Sequence, residues 1–97
     1  MNALTIIQDG KMVKLNSSAL EKIAEIYRAI NHGCRQRMLN LLAKEGSMIV
    51  TDIYVKLRLE QSAASQHLAI LRRAGVVQTE RRGKNIYYSL KQEAMQI

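Results

Sequence analysis

Apolar positions along the chain follow two spacings, and the change from one to the other marks out the architecture. Between Ser18 and Asn31, Leu20, Ile23, Ala24, Tyr27 and Ile30 recur every three or four residues, the period of one helical stripe. Ser18 and Glu21 form a capping box at its start. Ala19, Ile26 and Ala29 widen that stripe beyond what one small core requires, and this second stripe is read as a subunit contact. A second helix over 33–45 buries Met38, Leu39, Leu41 and Leu42 and stops at Gly46. Thr51 then serves as N-cap of a short third helix with Ile53, Tyr54 and Leu57 facing inward. After the break "RLEQ", a fourth helix from Ser62 to Ala74 carries Ala64, Leu68 and Leu71 on its inner side, and Gly75 ends it.

Beyond Gly75 the period drops to two. Residues 76–81 and 85–90 read as antiparallel strands around Arg82-Gly83-Lys84. At the other end, "LTIIQDGKMVKL" alternates around Asp9-Gly10, a favoured hairpin pair because glycine accepts positive φ without steric cost. The closing "KQEAMQI" has the length for one or two helical turns. The fold class is mainly α with a small β wing, in the order α-α-α-α-β-β, with an N-terminal β-hairpin. One domain spans 1–97: hairpin 1–15, dimer helix 18–31, helix-turn-helix 51–74 and wing 76–90.

Charge turns this architecture towards a partner. Fifteen Lys and Arg against eight Asp and Glu leave +7 among 97 residues. The excess is concentrated in residues 61–92, where Arg72, Arg73, Arg81, Arg82, Lys84 and Lys91 stand against one acid, Glu80. A clustered basic surface favours a polyanion, nucleic acid ahead of an anionic membrane, although charge alone also fits a solvated face. With no Pro, Trp or Phe, packing is expected to be aliphatic. No apolar run reaches the roughly 18 residues of a membrane span, and the start lacks a signal peptide's basic and apolar regions. The single cysteine excludes an internal disulfide and suits a reducing compartment, so a cytoplasmic location is expected.

Two short helices joined by a tight break and followed by a basic hairpin make a winged helix-turn-helix. In such a motif the second helix enters the major groove and its exposed N-terminal residues meet base edges. The small polar residues of "QSAASQHLAILRRAGVV" let that helix approach closely, while its aliphatic stripe holds it on the domain. Arg72 and Arg73 lie at its far end, where phosphate contact is expected rather than base reading. The hairpin tip, residues 81–85, can reach a neighbouring groove or backbone.

"AINHGCRQRMLNLL", "VTDIYVKLRLEQSAASQHLAILRRAGVV" and "RRGKNIYYSL" together resemble the ArsR/SmtB family of dimeric bacterial repressors over residues 18–90. The resemblance implies that Gln61, Ser62, Ser65, Gln66 and His67 face DNA and that Arg82 and Lys84 are wing contacts. It implies double-stranded DNA and a second copy of the chain as partners. Departures from the family bear on its signal. Metal-responsive relatives often carry Cys-x-Cys on the third helix, where this chain has "IVTDIYV", without the thiolates soft metals need. The other common site uses Asp and His along a long last helix, and here no His follows His67 and the sequence ends at Ile97. No metal site and no cofactor are therefore expected. Glu60 stands where serine is usual before the recognition helix, and His32-Gly33 where the family has an acid and proline.

Cys34 begins the second helix beside Arg35 and Arg37, a setting that lowers a thiol pKa, so it is either a redox-sensing thiol or a buried structural one. His32 is expected as a cap or surface residue. Tyr87 and Tyr88 alternate, one packing inward and one lying outward. The dimer interface is expected from Ala19, Ile23, Ile26, Ala29 and Ile30, aided by the hairpin. No Ser-His-Asp set, paired carboxylates, P-loop or metal cluster suggests an enzyme. The function expected is a sequence-specific regulator, a homodimeric repressor on an inverted repeat. The alternative is a winged-helix protein-interaction module with a basic face. Operator and effector stay open.

Overall fold

The computed structural model describes residues 4–8, 11–15 and 17–91. Strands β1 (Leu4–Gln8) and β2 (Lys11–Leu15) pair antiparallel from Leu4 opposite Leu15 to Gln8 opposite Lys11. The proposed Asp9-Gly10 turn and the tail beyond Lys91 lie outside the described residues. Four helices follow: α1 (Ser17–Ile30), α2 (Gly33–Glu45), α3 (Val50–Leu57) and α4 (Gln61–Arg73). Between α2 and α3 lies a strand the periodicity did not predict, β3 (Ser47–Ile49). The wing strands β4 (Val77–Arg82) and β5 (Asn85–Leu90) complete a three-stranded antiparallel sheet in the order β3-β5-β4.

The core is aliphatic, as a chain without Phe or Trp must make it. Met38 and Leu42 of α2, Ile53 of α3, Leu68 and Leu71 of α4, and Val76 and Val77 are the largest fully buried side chains. That burial holds α4 in place. Glu60 occupies its N-cap without a side-chain cap hydrogen bond, a loss of about 1 kcal/mol against serine or aspartate. Each fully buried leucine contributes about 1.5–3 kcal/mol, so Leu68 and Leu71 outweigh the missing cap.

The turn between α3 and α4 is held from two sides. Arg58, at the C-cap of α3, adopts the left-handed conformation (φ 57°, ψ 48°), which costs a non-glycine residue about 1–2 kcal/mol. Backbone bonds from Arg58 N to Val55 O (3.2 Å) and from Leu59 N to Tyr54 O (2.9 Å) close the helix end. Arg37 of α2 donates from Nη2 to the Leu57 carbonyl at 2.9 Å, fastening the end of α3 to a second helix. Where α4 ends, Gly75 sits at φ +80°, and a Cβ there would meet Lys22 Nζ at 3.6 Å, so backbone conformation rather than space demands glycine.

Several expectations are corrected. Helix α1 begins at Ser17, so Ser18 lies inside its first turn and is not the cap. Ile49, not Thr51, is the N-cap of α3, because the chain leaves β3 directly into the helix and Thr51 falls exposed in its first turn. Arg82 pairs with Asn85, so the wing turn is the two residues Gly83-Lys84 instead of three. Gly83 takes φ +63° and Lys84 does not, the pattern of a type II′ hairpin turn.

The apolar residues of α1 divide between inside and outside differently from the expectation. Ala29, assigned to the dimer interface, is 4% exposed within its own protomer, and Ile26 and Ile30 also pack against the core. Ile23 and Tyr27, expected along the inner stripe, are 42% and 61% exposed. Among the expected interface residues, Ile23 is thus the large apolar side chain left outward, and Ala19 is half-buried.

Candidate nucleic-acid interface

Helix α4 divides by face. Ala64, Leu68 and Leu71 are fully buried, while Gln61, Ser62, Ser65, Gln66 and Ala69 are exposed along the opposite side. At 3.6 residues per turn the four polar residues form one short patch over the first turn and a half of the helix. Arg72 and Arg73 are exposed in its last turn, about 10 Å further along the axis at 1.5 Å per residue. The hydroxyls and amides that carry donors and acceptors are at one end and the cations at the other.

His67 does not join that patch. It is half-buried and turned towards the start of α2, where its ring centroid lies 4.8 Å from that of His32. His32 is the N-cap of α2 and accepts the Cys34 backbone N–H on Nδ1 at 3.1 Å. Its position on the helix carries His67 past Gln66 and towards α2, apart from the other residues expected to face DNA. Its Nδ1 is buried with no partner among the described residues. Burial, with the nearby His32 and Arg35 adding repulsion, holds the His67 imidazolium below the ordinary histidine range.

That depression has a sign. The native state prefers neutral His67, so its contribution to stability is present above the unfolded value, about 6.5, and is lost as pH falls from there through the lower folded value. Melting wild type and His67→Gln between pH 8 and pH 5 is expected to show a smaller acid-side fall in Tm for the variant. Parallel curves would remove His67 as the cause.

The wing is less freely cationic than its composition implies. Arg82 donates to both carboxylate oxygens of Glu80, from Nε to Oε1 at 3.2 Å and from Nη2 to Oε2 at 3.3 Å. Its guanidinium also sits 4.7 Å over the Tyr87 ring. The hydrogen bonds from Arg82, and then its charge, hold the Glu80 carboxyl below its usual range. Arg81 donates from Nε to the Gly83 carbonyl at 3.2 Å. Lys84, at the turn, is exposed and has no hydrogen bond or ion pair among the described residues. The two tyrosines separate as alternation predicts, with Tyr88 packed on the core and Tyr87 beneath Arg82. Sequence reading missed the Glu80–Arg82 pair, although two residues two apart on a strand share a face.

Cys34 is a half-buried free thiol in the first turn of α2. No group of three or more His, Cys, Asp or Glu side chains gathers as a metal set among the described residues. Among them, no helix is long and apolar enough to cross a membrane.

A helix anchored on one side, bare and polar on the other, with a basic hairpin alongside, is how winged helix-turn-helix proteins meet DNA. The protein is a DNA-binding transcriptional regulator of that class. Residues 34–79 match the model of the bacterial regulatory protein, arsR family. An uncharacterized helix-turn-helix regulator of Methanocaldococcus jannaschii, MJ1325, is 40% identical over 78 residues, covering 79% of this chain and 88% of its own. The chain belongs to the ArsR family.

Solved structures agree. The transcriptional repressor PagR of Bacillus anthracis superposes with a TM-score of 0.72 at 37% identity, over 78% of this chain and 86% of that one. The homodimeric winged helix-turn-helix DNA-binding domain Mb0332 of Mycobacterium bovis gives a TM-score of 0.77 at 27% identity, over 82% and 74% of the two chains.

Proposed function

We propose that the protein is a cytoplasmic homodimeric repressor that reads an inverted-repeat operator, with Ser62, Ser65 and Gln66 at base edges and Gln61 beside them. The observation that carries this reading is the division of α4 into a fully buried aliphatic side and an exposed polar one. Arg72, Arg73 and Lys84 contact phosphates, which position the protein without carrying sequence information. Two-fold pairing supplies one recognition helix to each half-site. On α1, the second copy meets the outward Ile23 and Tyr27 rather than the inner Ala29, Ile26 and Ile30. Relatives described as repressors and a homodimeric neighbour support this assignment.

The test is selection of a randomised duplex pool at near-physiological salt. An enriched inverted repeat is expected, whereas strong binding without enrichment would contradict the reading and favour a protein partner for the basic face. Arg82 enters this scheme held back by Glu80. Glu80→Gln removes a negative charge and frees Arg82, and an exposed pair of this kind adds little to folding. The variant is expected to bind random duplex roughly fivefold more tightly, measured by fluorescence anisotropy at fixed salt, with an unchanged Tm. Equal affinity would mean that the wing does not approach the DNA backbone.

A further inference from the structure

Beside the exposed polar patch of α4, one turn beyond Gln66, α1, α2 and α4 border an open-sided cavity of about 280 Å³. Ala29, Ile70 and Ala74 form its apolar part, and Arg28, Arg35 and Arg73 bring one guanidinium from each helix. The lining includes one acid, Glu25, and its carboxylate lies 3.4 Å from Lys22 Nζ. None of the three arginines makes a hydrogen bond or ion pair among the described residues, and Arg35 Nε is shut off from solvent without an acceptor. A buried N–H without a partner is costly, and like charges around one cavity repel. Among the described residues no acceptor meets Arg35 Nε, and Glu25 is the one acid in the lining.

We propose that this cavity binds a small multivalent oxyanion of the phosphate class, in free form rather than as the DNA backbone. Guanidinium groups are planar forks that take two oxygens of one phosphate at once, and three of them from three helices suit a ligand with more than one anionic group. The volume is close to the lower end of small-molecule sites, and the apolar part accommodates a short organic portion. Two features favour a free anion over the duplex. Ile70 follows Gln66 by one turn of α4 and Arg73 is exposed in line with the patch, so a duplex seated there reaches Arg73, whereas the shielded Nε of Arg35 on α2 is closed to it. Glu25 and Arg28 also lie across α1 from Ile23 and Tyr27, so a second copy on that apolar face leaves the cavity open.

Sodium pyrophosphate titrated calorimetrically into the 97-residue chain, without DNA and at constant ionic strength, tests the site. One saturable event per chain is expected, with Kd weakened about tenfold or more by Arg35→Gln and by Arg28→Gln. Lys44→Gln, which removes an exposed charge at the far end of α2, is expected to leave it unchanged. Arg28 is exposed, so its variant carries the test should Arg35→Gln fail to fold. No saturable heat, or equal weakening by all three variants, would overturn the proposal. A second arm measures random-duplex binding without pyrophosphate: Arg35→Gln is expected to match wild type. A loss there equal to the pyrophosphate loss would assign the arginines to the DNA backbone and overturn the free-anion site. Because the titration contains no DNA, its failure is separable from failure of the operator reading.

Discussion

Leu68→Ala is expected to destabilise the protein by about 2–5 kcal/mol, a large part of the 5–15 kcal/mol available to a small domain. Leu68 has no exposed surface and lies in the same core cluster as Met38, Leu42, Ile53 and Leu71. Losing its side chain removes transfer energy and leaves a cavity that rigid neighbours fill only in part. Helix α4 is unusually dependent on this contact, because Glu60 gives it no side-chain cap and its first turn is Gln, Ser and two Ala. For a chain of this size each kcal/mol shifts Tm by about 4–8 °C, so a fall of 10 °C or more is expected. Leu68→Met, which conserves volume, should stay within about 1.5 kcal/mol. Urea unfolding of both variants checks the cause. An alanine variant within about 1 kcal/mol of wild type would show that α4 is held by something other than its buried face.

The parts of this fold legible in the sequence are those where one residue pattern has one structural solution. Ala64, Leu68 and Leu71 fit only the inner side of a helix, and a run of alternating residues on each side of Gly83-Lys84 fits only a hairpin. Helix α1 was harder because its apolar residues surround most of the helix. Periodicity says that Ile23, Tyr27, Ile26 and Ala29 form stripes, but which stripe faces inward is decided by packing against α2 and against α4, which lies thirty residues further along the chain. Strand β3 is three residues long, too short for alternation to register, and exists because Met48 packs in the core opposite Tyr88 of β5. His67 illustrates the same limit at the site. A matching motif places it beside Gln66, whereas the pairing with His32 depends on how α2 starts against α4. The hydrogen bond from Arg37 to the Leu57 carbonyl spans twenty residues and leaves no local signature. By contrast, the tie between Glu80 and Arg82 was accessible from strand period alone.

Ser65→Ala combined with Gln66→Ala is expected to weaken binding to a selected operator by about 100-fold or more while changing random-duplex affinity less than about threefold. A good side-chain contact to a base edge discriminates by about 1–3 kcal/mol, and in a homodimer each substitution acts at both half-sites. Neither residue carries charge, so the slope of log K against log salt should not change, because that slope counts neutralised phosphates. Folding should be almost untouched, since both side chains are exposed and surface changes usually stay within about 0.5 kcal/mol. Lys84→Gln provides the contrast. It removes one unpartnered charge per wing, so operator and random duplex should weaken by the same factor and the slope should fall by about 2 for the dimer. Binding isotherms for both variants on both duplexes, from low to physiological salt, separate the two roles. Equal losses on operator and random DNA for the Ser65–Gln66 variant would mean that α4 only docks on the backbone, and that sequence is read by another part of the chain.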